Sequence, residues 1–219
     1  MKKELRIKCL VLDHDDTVVR SAPEVNYPSF KKALSVLRPE EELSFERFTE
    51  LNFTYGFEAL CYEYFGFSEE EMNFQLQCWY EASEHIPCAY EGLAEILHAY
   101  VQNGGKICVS TQSLASRVER DYEAAGLPKP DMIFDWECEK RKPDPYALEE
   151  AMRIFELKPE ELLMVDDLKT GYTMANACGV SFACAGWSDN QIPLIREFMK
   201  QNSDYYLESV AQLETLLYK

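Results

Sequence analysis

The chain has 219 residues, of which 47% are hydrophobic and 28% charged, a balance typical of a globular protein with a buried core. Its 39 acidic residues outnumber 22 basic ones, and the formal charge of −17 would repel nucleic-acid backbones and anionic lipid surfaces. Nucleic-acid binding is therefore disfavoured, and a phosphate-binding site on this chain would need local cations to reverse the sign of the field.

No segment of the sequence predicts a targeting signal or a membrane anchor. Residues 1–8 lack the apolar core of a signal peptide, and no window reaches the apolar length that spans a membrane. The eight cysteines are scattered singly, with neither a CxxC pair nor a zinc-type histidine spacing. We therefore expect a cytoplasmic protein with free thiols. We also expect a monomer or a weak dimer.

The first predicted element is a buried strand over residues 7–12, an apolar run that stops at the polar segment beginning with Asp13. The next stretch, residues 22–87, contains successive helical patterns and no further strand. These patterns cover residues 24–37, 45–51, 57–64 and 68–85. We predict that residues 22–87 form an all-helical cap inserted into the core after its first strand.

From residue 88 onward, apolar runs alternate with helical patterns. The predicted strands are residues 106–110, 132–134, 161–165, 180–184 and 205–207. The predicted helices are residues 92–101, 114–125, 145–155, 172–178, 192–200 and 210–217. Such alternation indicates a parallel sheet with helices on both faces. We therefore predict a doubly wound, Rossmann-like α/β core made of residues 1–21 and 88–219.

Polar residues follow three of the predicted strands, at the ends where open α/β sheets bind ligands. Asp13 and Asp15 follow the first strand, Thr111 follows the second, and Asp166 and Asp167 follow the run over 161–165. Carboxylate oxygens are ligands that Mg²⁺ prefers. Clustered carboxylates also raise one another's pKa unless a cation offsets their repulsion, so the pattern predicts a magnesium site.

Four segments in this order resemble the motifs of the haloacid dehalogenase superfamily, and the resemblance runs through essentially the whole chain. They are the DxDxT-like segment Asp13-His14-Asp15-Asp16-Thr17, Thr111 followed by Gln112, Lys142 within a KPxP-like segment, and the paired acids Asp166-Asp167 followed by Gly171.

For the first motif, the resemblance implies that Asp13 is the nucleophile and a metal ligand. Asp15 would be the general acid and base and would also offer its backbone carbonyl to Mg²⁺. The implied activity is an Mg²⁺-dependent phosphatase that cleaves a small phosphorylated metabolite through an aspartyl-phosphate intermediate. Asp16 stands where the common form of the motif has glycine, and we expect it at the surface of the loop.

For the remaining motifs, the resemblance implies that Thr111, Gln112 and Lys142 bind the substrate phosphate. Asp167 would ligate the metal directly, and Asp166 would be a second ligand or an outer-shell partner. The departure at Gln112, where asparagine is frequent, leaves the acidic residues intact.

Several alternatives stay open from the sequence. A sugar phosphomutase of the β-phosphoglucomutase type shares the first half-reaction, but its cap would need an inward cation such as Lys31, Lys32 or Arg47. A phosphonatase would need a cap lysine, and a catalytically retired binding protein is also conceivable. A dehalogenase is disfavoured because the dehalogenase branch of the family lacks the second acid of the first motif, which is Asp15 in this chain. We expect His14 to be structural and to point away from the acidic pair.

Overall fold

The computed structural model describes residues 3–219 and has a six-stranded parallel sheet at its centre. The strands are β1 (Cys9–Leu12), β2 (Lys106–Ser110), β3 (Met132–Phe134), β4 (Leu162–Asp166), β5 (Ser181–Ala185) and β6 (Tyr205–Leu207). Their order in the sheet is β3-β2-β1-β4-β5-β6. The winding therefore reverses between β1 and β4, which is the position where open α/β sheets bind ligands.

Ten α-helices lie within residues 3–219, and five of them fall between β1 and β2, the first four within residues 22–87. The helices are α1 (Tyr27–Leu37), α2 (Phe45–Tyr55), α3 (Phe57–Ala59), α4 (Glu69–Ala82), α5 (Leu93–Gln102), α6 (Ala115–Ala124), α7 (Tyr146–Phe155), α8 (Lys169–Ala177), α9 (Pro193–Asn202) and α10 (Val210–Leu217). Each helix in this range is too short or too polar to span a membrane. The predicted fold class, a doubly wound parallel sheet with an inserted helical segment, is confirmed.

The sheet is buried on both faces because helices cover both of them, and successive side chains of each strand point to opposite faces. Leu10 and Leu12 of β1 belong to one apolar cluster, which includes residues of α5, α6 and α10. Cys9 and Val11 of the same strand belong to the other cluster, which includes residues of α7, α8 and α9. A continuous apolar strand is therefore the expected pattern at this position, and it explains why β1 is readable from the sequence.

The segment that contains α1 to α4 has an apolar core of its own. Its buried members are Phe30, Leu34, Leu43, Phe48, Leu51, Leu60, Cys61 and Phe67. Phe53 of α2 instead joins the cluster of the α/β core and packs edge-on against Phe198 of α9, with ring centroids 5.5 Å apart. This separate packing favours a cap, but the bounds 1–21, 22–87 and 88–219 stay a prediction.

The two connections between these helices and the sheet run side by side. Val19 in the first connection forms an antiparallel bridge with Ala89 in the second. The Arg20 N–H donates to the Cys88 carbonyl at 2.9 Å, and the Tyr90 N–H donates to the Val18 carbonyl at 3.0 Å. Both connections therefore lie next to the loop that begins at Asp13.

Candidate active site

Adjacent parallel strands bring the acidic residues of the first and fourth motifs together. Leu12 is in register with Val165, so Asp13 follows β1 directly beside Asp166 at the end of β4. The carboxylates of Asp13, Asp166 and Asp167 are all buried, and one oxygen from each lies within 4.8 Å of the others. The structure therefore has a three-carboxylate cluster at the point where the winding of the sheet reverses.

Lys142 places a positive charge inside this cluster. Its Nζ donates to Oδ1 of Asp13 at 2.5 Å and to Oδ2 of Asp166 at 2.8 Å. The lysine side chain is only 4% exposed, so solvent does not screen these contacts. Burial alone would lower the pKa of Lys142, but the carboxylates of Asp13 and Asp166 outweigh burial and raise it above its ordinary value. The side chain is therefore a fixed ammonium ion.

One lysine does not balance three buried acids. Burial raises the pKa of Asp13 well above its ordinary value; Lys142 opposes this rise, whereas the charges of Asp166 and Asp167 add to it. Burial and the charge of Asp166 raise the pKa of Asp167 to about 7. A further cation would remove this repulsion, and three hard carboxylate oxygens suit a divalent ion such as Mg²⁺. The residues present therefore fit the expected metal.

The two acids of the fourth motif have different surroundings. Both oxygens of Asp166 already accept hydrogen bonds, Oδ1 from the Leu168 N–H at 2.8 Å and Oδ2 from Lys142. Gly171 of α8 packs against this carboxylate so closely that a Cβ on the glycine would lie 2.4 Å from the Asp166 Cβ. Asp166 is therefore held rigidly as the partner of Lys142.

Asp167 accepts two side-chain hydrogen bonds from residues that the sequence analysis did not identify. Ser188 Oγ donates to Oδ2 of Asp167 at 2.9 Å, and Asn190 Nδ2 donates to the same oxygen at 3.0 Å. Both residues follow β5, the neighbour of β4 in the sheet. The polar run after the predicted strand over 180–184 was the available signal, because it lies at the same edge of the sheet.

Asp15 and Thr111 lie close to each other beside the cluster. The Thr111 hydroxyl approaches Oδ2 of Asp15 at 3.4 Å and accepts the Ser113 N–H at 3.0 Å. Thr111 is buried and Asp15 is half-buried, whereas Gln112 is exposed and has no side-chain partner within residues 3–219. The three-carboxylate group found in the described chain does not include the Asp15 side chain.

Asp16 is buried, with only 3% of its surface exposed, so the expectation that it lies at the surface of the loop is wrong. The loop turns back on itself, with the Asp16 N–H donating to the Val19 carbonyl at 2.7 Å. The Asp16 carboxylate accepts the Ala22 N–H at 2.8 Å. Its φ of 62° is in the left-handed region, which explains why glycine suits this position and why Asp is tolerated. Burial and the charge of Asp167 raise the pKa of Asp16 well above its ordinary value.

His14 is paired with a residue outside the acidic cluster, in agreement with the expected structural role. Its Nε2 is 3.0 Å from Oδ2 of Asp121 on α6, and both side chains are almost fully buried. This pair attaches the first motif to α6, which follows the second motif along the chain.

Comparison with known proteins identifies the family. Residues 10–185 match the family model described as haloacid dehalogenase-like hydrolase, so the chain belongs to this family. The pyrophosphatase PpaX of Halalkalibacterium halodurans is 29% identical over 57% of this chain and 57% of its own. A second protein with the PpaX name, from Caldanaerobacter subterraneus subsp. tengcongensis, is 25% identical over 95% of this chain and 94% of its own.

Solved structures share the fold at lower identity. A predicted phosphoglycolate phosphatase from Haemophilus somnus is 19% identical with a TM-score of 0.78, covering 96% of this chain and 98% of its own. CbbY from Rhodobacter sphaeroides, in complex with phosphate, is 18% identical with a TM-score of 0.70, covering 94% of this chain and 96% of its own. The predicted family and enzyme class, a phosphatase of the haloacid dehalogenase type, are confirmed at this level.

Proposed function

We propose that this chain hydrolyses a small-molecule phosphate monoester in an Mg²⁺-dependent reaction that passes through an aspartyl-phosphate on Asp13. The observation that carries the proposal is the buried contact of Asp13 with Lys142 at 2.5 Å, within the carboxylate cluster that also contains Asp166 and Asp167. Phosphoryl transfer to a carboxylate needs a nucleophile, a fixed cation and ligands for a metal in one place.

In the first half-reaction, the Asp13 carboxylate would attack phosphorus in line with the leaving oxygen. The bond between phosphorus and the ester oxygen breaks, and Asp15 gives its proton to that oxygen. In the second half-reaction, Asp15 takes a proton from a water molecule that attacks phosphorus. Asp13 is then released as a carboxylate together with inorganic phosphate. The half-buried position of Asp15 beside Thr111 supports this exchange of protons.

The substrate phosphate would be held by Lys142, Thr111 and Gln112. Asp13 and Asp167 would ligate Mg²⁺ directly, with the backbone carbonyl of Asp15. Asp166 would instead orient Lys142, because both of its oxygens are already hydrogen-bonded. Bound Mg²⁺ would neutralise charge on the phosphate oxygens and keep the buried carboxylates ionised.

Hydrolysis is favoured over a sugar phosphomutase by the surroundings of the cap cations. A mutase has to retain a second phosphate, and the cap region 22–87 has four lysine and arginine residues for this task. Each of the four has a partner within the cap. The pairs are Lys31 over the Tyr27 ring, Lys32 with Glu81, Arg38 with Glu71 and Arg47 with Glu50. Binding a second phosphate would have to displace one of these contacts.

The substitution Asp13→Asn tests the nucleophile, because it preserves shape and removes the attacking oxygen anion. We expect no phosphate release from p-nitrophenyl phosphate with Mg²⁺, and a folded variant by circular dichroism. Turnover at a near-parental rate would rule out Asp13, and full parental activity in excess chelator would rule out the metal requirement. Phosphate release from a panel that includes pyrophosphate and 2-phosphoglycolate would then identify the substrate class.

The mutase alternative has its own test. The protein is incubated with β-glucose 1-phosphate and a trace of the 1,6-bisphosphate, and both products are followed. We expect free phosphate to be formed faster than glucose 6-phosphate, if this sugar reacts at all. Faster accumulation of glucose 6-phosphate would overturn the choice of hydrolysis.

A further inference from the structure

The loop after β5, residues 187–191, contacts Asp167 through three of its side chains. Besides Ser188 and Asn190, which donate to Oδ2, Gln191 Nε2 donates to the backbone carbonyl of Asp167 at 2.8 Å. All three donors are buried, with exposed fractions of 5–8%. We name this segment the β5 loop. It holds both the side chain and the backbone of the proposed metal ligand.

The same loop also forms hydrogen bonds with both connections between the cap and the sheet. Asp189 accepts two hydrogen bonds from the guanidinium of Arg20, from Nε at 2.9 Å and from Nη2 at 3.2 Å. It accepts a third from the Tyr90 hydroxyl at 3.0 Å, and its own N–H donates to that hydroxyl at 3.1 Å. Trp187 Nε1 donates to the Thr17 carbonyl at 3.1 Å. Arg20 belongs to the first connection and Tyr90 to the second.

Internal hydrogen bonds make the β5 loop a compact turn. The Ser188 N–H donates to the Ala185 carbonyl at 3.0 Å, and the Gln191 N–H donates to the Ser188 carbonyl at 3.2 Å. The Asn190 N–H donates to Ser188 Oγ at 3.1 Å, the same oxygen that contacts Asp167. A shift of Asp189 would therefore move the neighbours on either side of it, which are the two donors to Asp167.

We propose that the β5 loop is a positioning element that orients Asp167 toward the metal and couples this carboxylate to the two connections of the cap. This inference rests on the proposed function, because it requires Asp167 to ligate Mg²⁺. Ser188 and Asn190 both bind Oδ2, so Oδ1 is the oxygen assigned to the ion. Partners that orient a ligand in this way typically affect metal affinity by 10–100-fold.

The experiment is isothermal titration of the full chain with Mg²⁺ in the absence of substrate, at pH 8. Asn190→Ala should weaken Mg²⁺ binding about tenfold, and Ser188→Ala should weaken it by a smaller factor. Asp189→Asn should weaken it about threefold, although Asp189 contacts neither the ion nor Asp167. The same Asp189 variant should increase amide hydrogen exchange in residues 17–21 and 88–92. Asn73→Ala, at an exposed position of α4, is the matched control and should change neither quantity.

Melting curves in chelator establish that each variant is folded, and if Asn190→Ala does not fold, Ser188→Ala and Asp189→Asn decide the matter. Parental Mg²⁺ affinity in the folded Ser188 and Asn190 variants would overturn the positioning role. Parental affinity in Asp189→Asn, together with faster exchange in the connections, would overturn the coupling. A parent protein that binds no Mg²⁺ would overturn the proposed function and this inference together. Mg²⁺ binding that is equal in parent and variants would overturn the inference alone.

Discussion

Replacing Lys142 by methionine removes the only positive charge among residues 3–219 that contacts the acidic cluster, while keeping a side chain of similar length. The lysine makes two charge-assisted hydrogen bonds, at 2.5 Å to Asp13 and 2.8 Å to Asp166, and is only 4% exposed. Breaking a buried ion pair by removing one partner costs about 3–5 kcal/mol, because the remaining charges stay buried. We expect Lys142→Met to lose about this much unfolding free energy at pH 8 in chelator, a large share of the stability of a typical domain.

The loss of unfolding free energy in Lys142→Met should increase with pH, because of the raised pKa values of the buried carboxylates. Asp13 and Asp167 have folded-state pKa values raised above those of the unfolded chain, so the folded state binds more protons. Their ionisation therefore opposes folding as the pH rises, and protonation restores stability as it falls. Without Lys142 the ionisation of these carboxylates opposes folding more strongly, because the charge that lowers their pKa is gone. The difference between Lys142→Met and the parent should be smaller at pH 6 than at pH 8.

Urea unfolding followed by tryptophan fluorescence measures this difference, since the chain has three tryptophans. Lys32→Met is the matched control, because Lys32 also pairs with a carboxylate, Glu81, but its side chain is 57% exposed. We expect this control to unfold at the parental urea concentration. Added Mg²⁺ should restore part of the stability lost in Lys142→Met, because a cation returns to the cluster.

Activity gives an independent measure of the same substitution. Loss of the proposed phosphate-binding cation should lower kcat by roughly 10²–10³, the range found when one charge-stabilising donor is removed. Equal unfolding midpoints of Lys142→Met and the parent at pH 8 in chelator would refute the argument from burial. An equal loss at pH 6 and pH 8 would refute the link to carboxylate ionisation.

Three further outcomes follow from the site. In the metal-free parent, the raised pKa of Asp167, about 7, should make unfolding midpoints fall as the pH rises from about 4 to 7, and saturating Mg²⁺ should weaken this trend. Asp16→Asn should raise the midpoint at pH 8 but not at low pH, because the amide can still accept the Ala22 N–H while the buried charge is removed. Gly171→Ala should cost about 1–3 kcal/mol and reduce turnover, because its Cβ would lie 2.4 Å from the Asp166 Cβ; unchanged midpoints and rates would contradict the close packing.

The strands were largely predictable, most directly the four central ones, whose residues are almost all buried. The predictions over 106–110, 132–134 and 205–207 coincide with β2, β3 and β6. A buried parallel strand is a nearly continuous apolar run that ends where polar residues begin, and this signal is local. The positions of the acids follow from the same logic, since the carboxyl ends of parallel strands lie at one edge of the sheet.

The cap helices were predicted with less accurate ends. The helix predicted over 45–51 continues as α2 to Tyr55, and the pattern over 57–64 becomes the short α3 followed by the π-helical turn Leu60–Tyr64. The extension of α2 includes Phe53, whose contact with Phe198 lies in the α/β core rather than in the cap. A contact between residues so far apart in the chain leaves no trace in the local periodicity that predicts where a helix ends.

The sequence by itself identified the acids, the lysine and the fold that collects them, because burial periodicity and residue type are encoded locally. Only the tertiary structure decided three further features. Asp16 is buried, Asp166 accepts a hydrogen bond from Lys142, and the β5 loop donates hydrogen bonds to Asp167. Asp189 and Arg20, for example, are 169 residues apart in the chain, and their contact exists only because two loops meet at one edge of the sheet. Hydrogen bonds between loops depend on how those loops pack, and no local pattern of residue types specifies that packing.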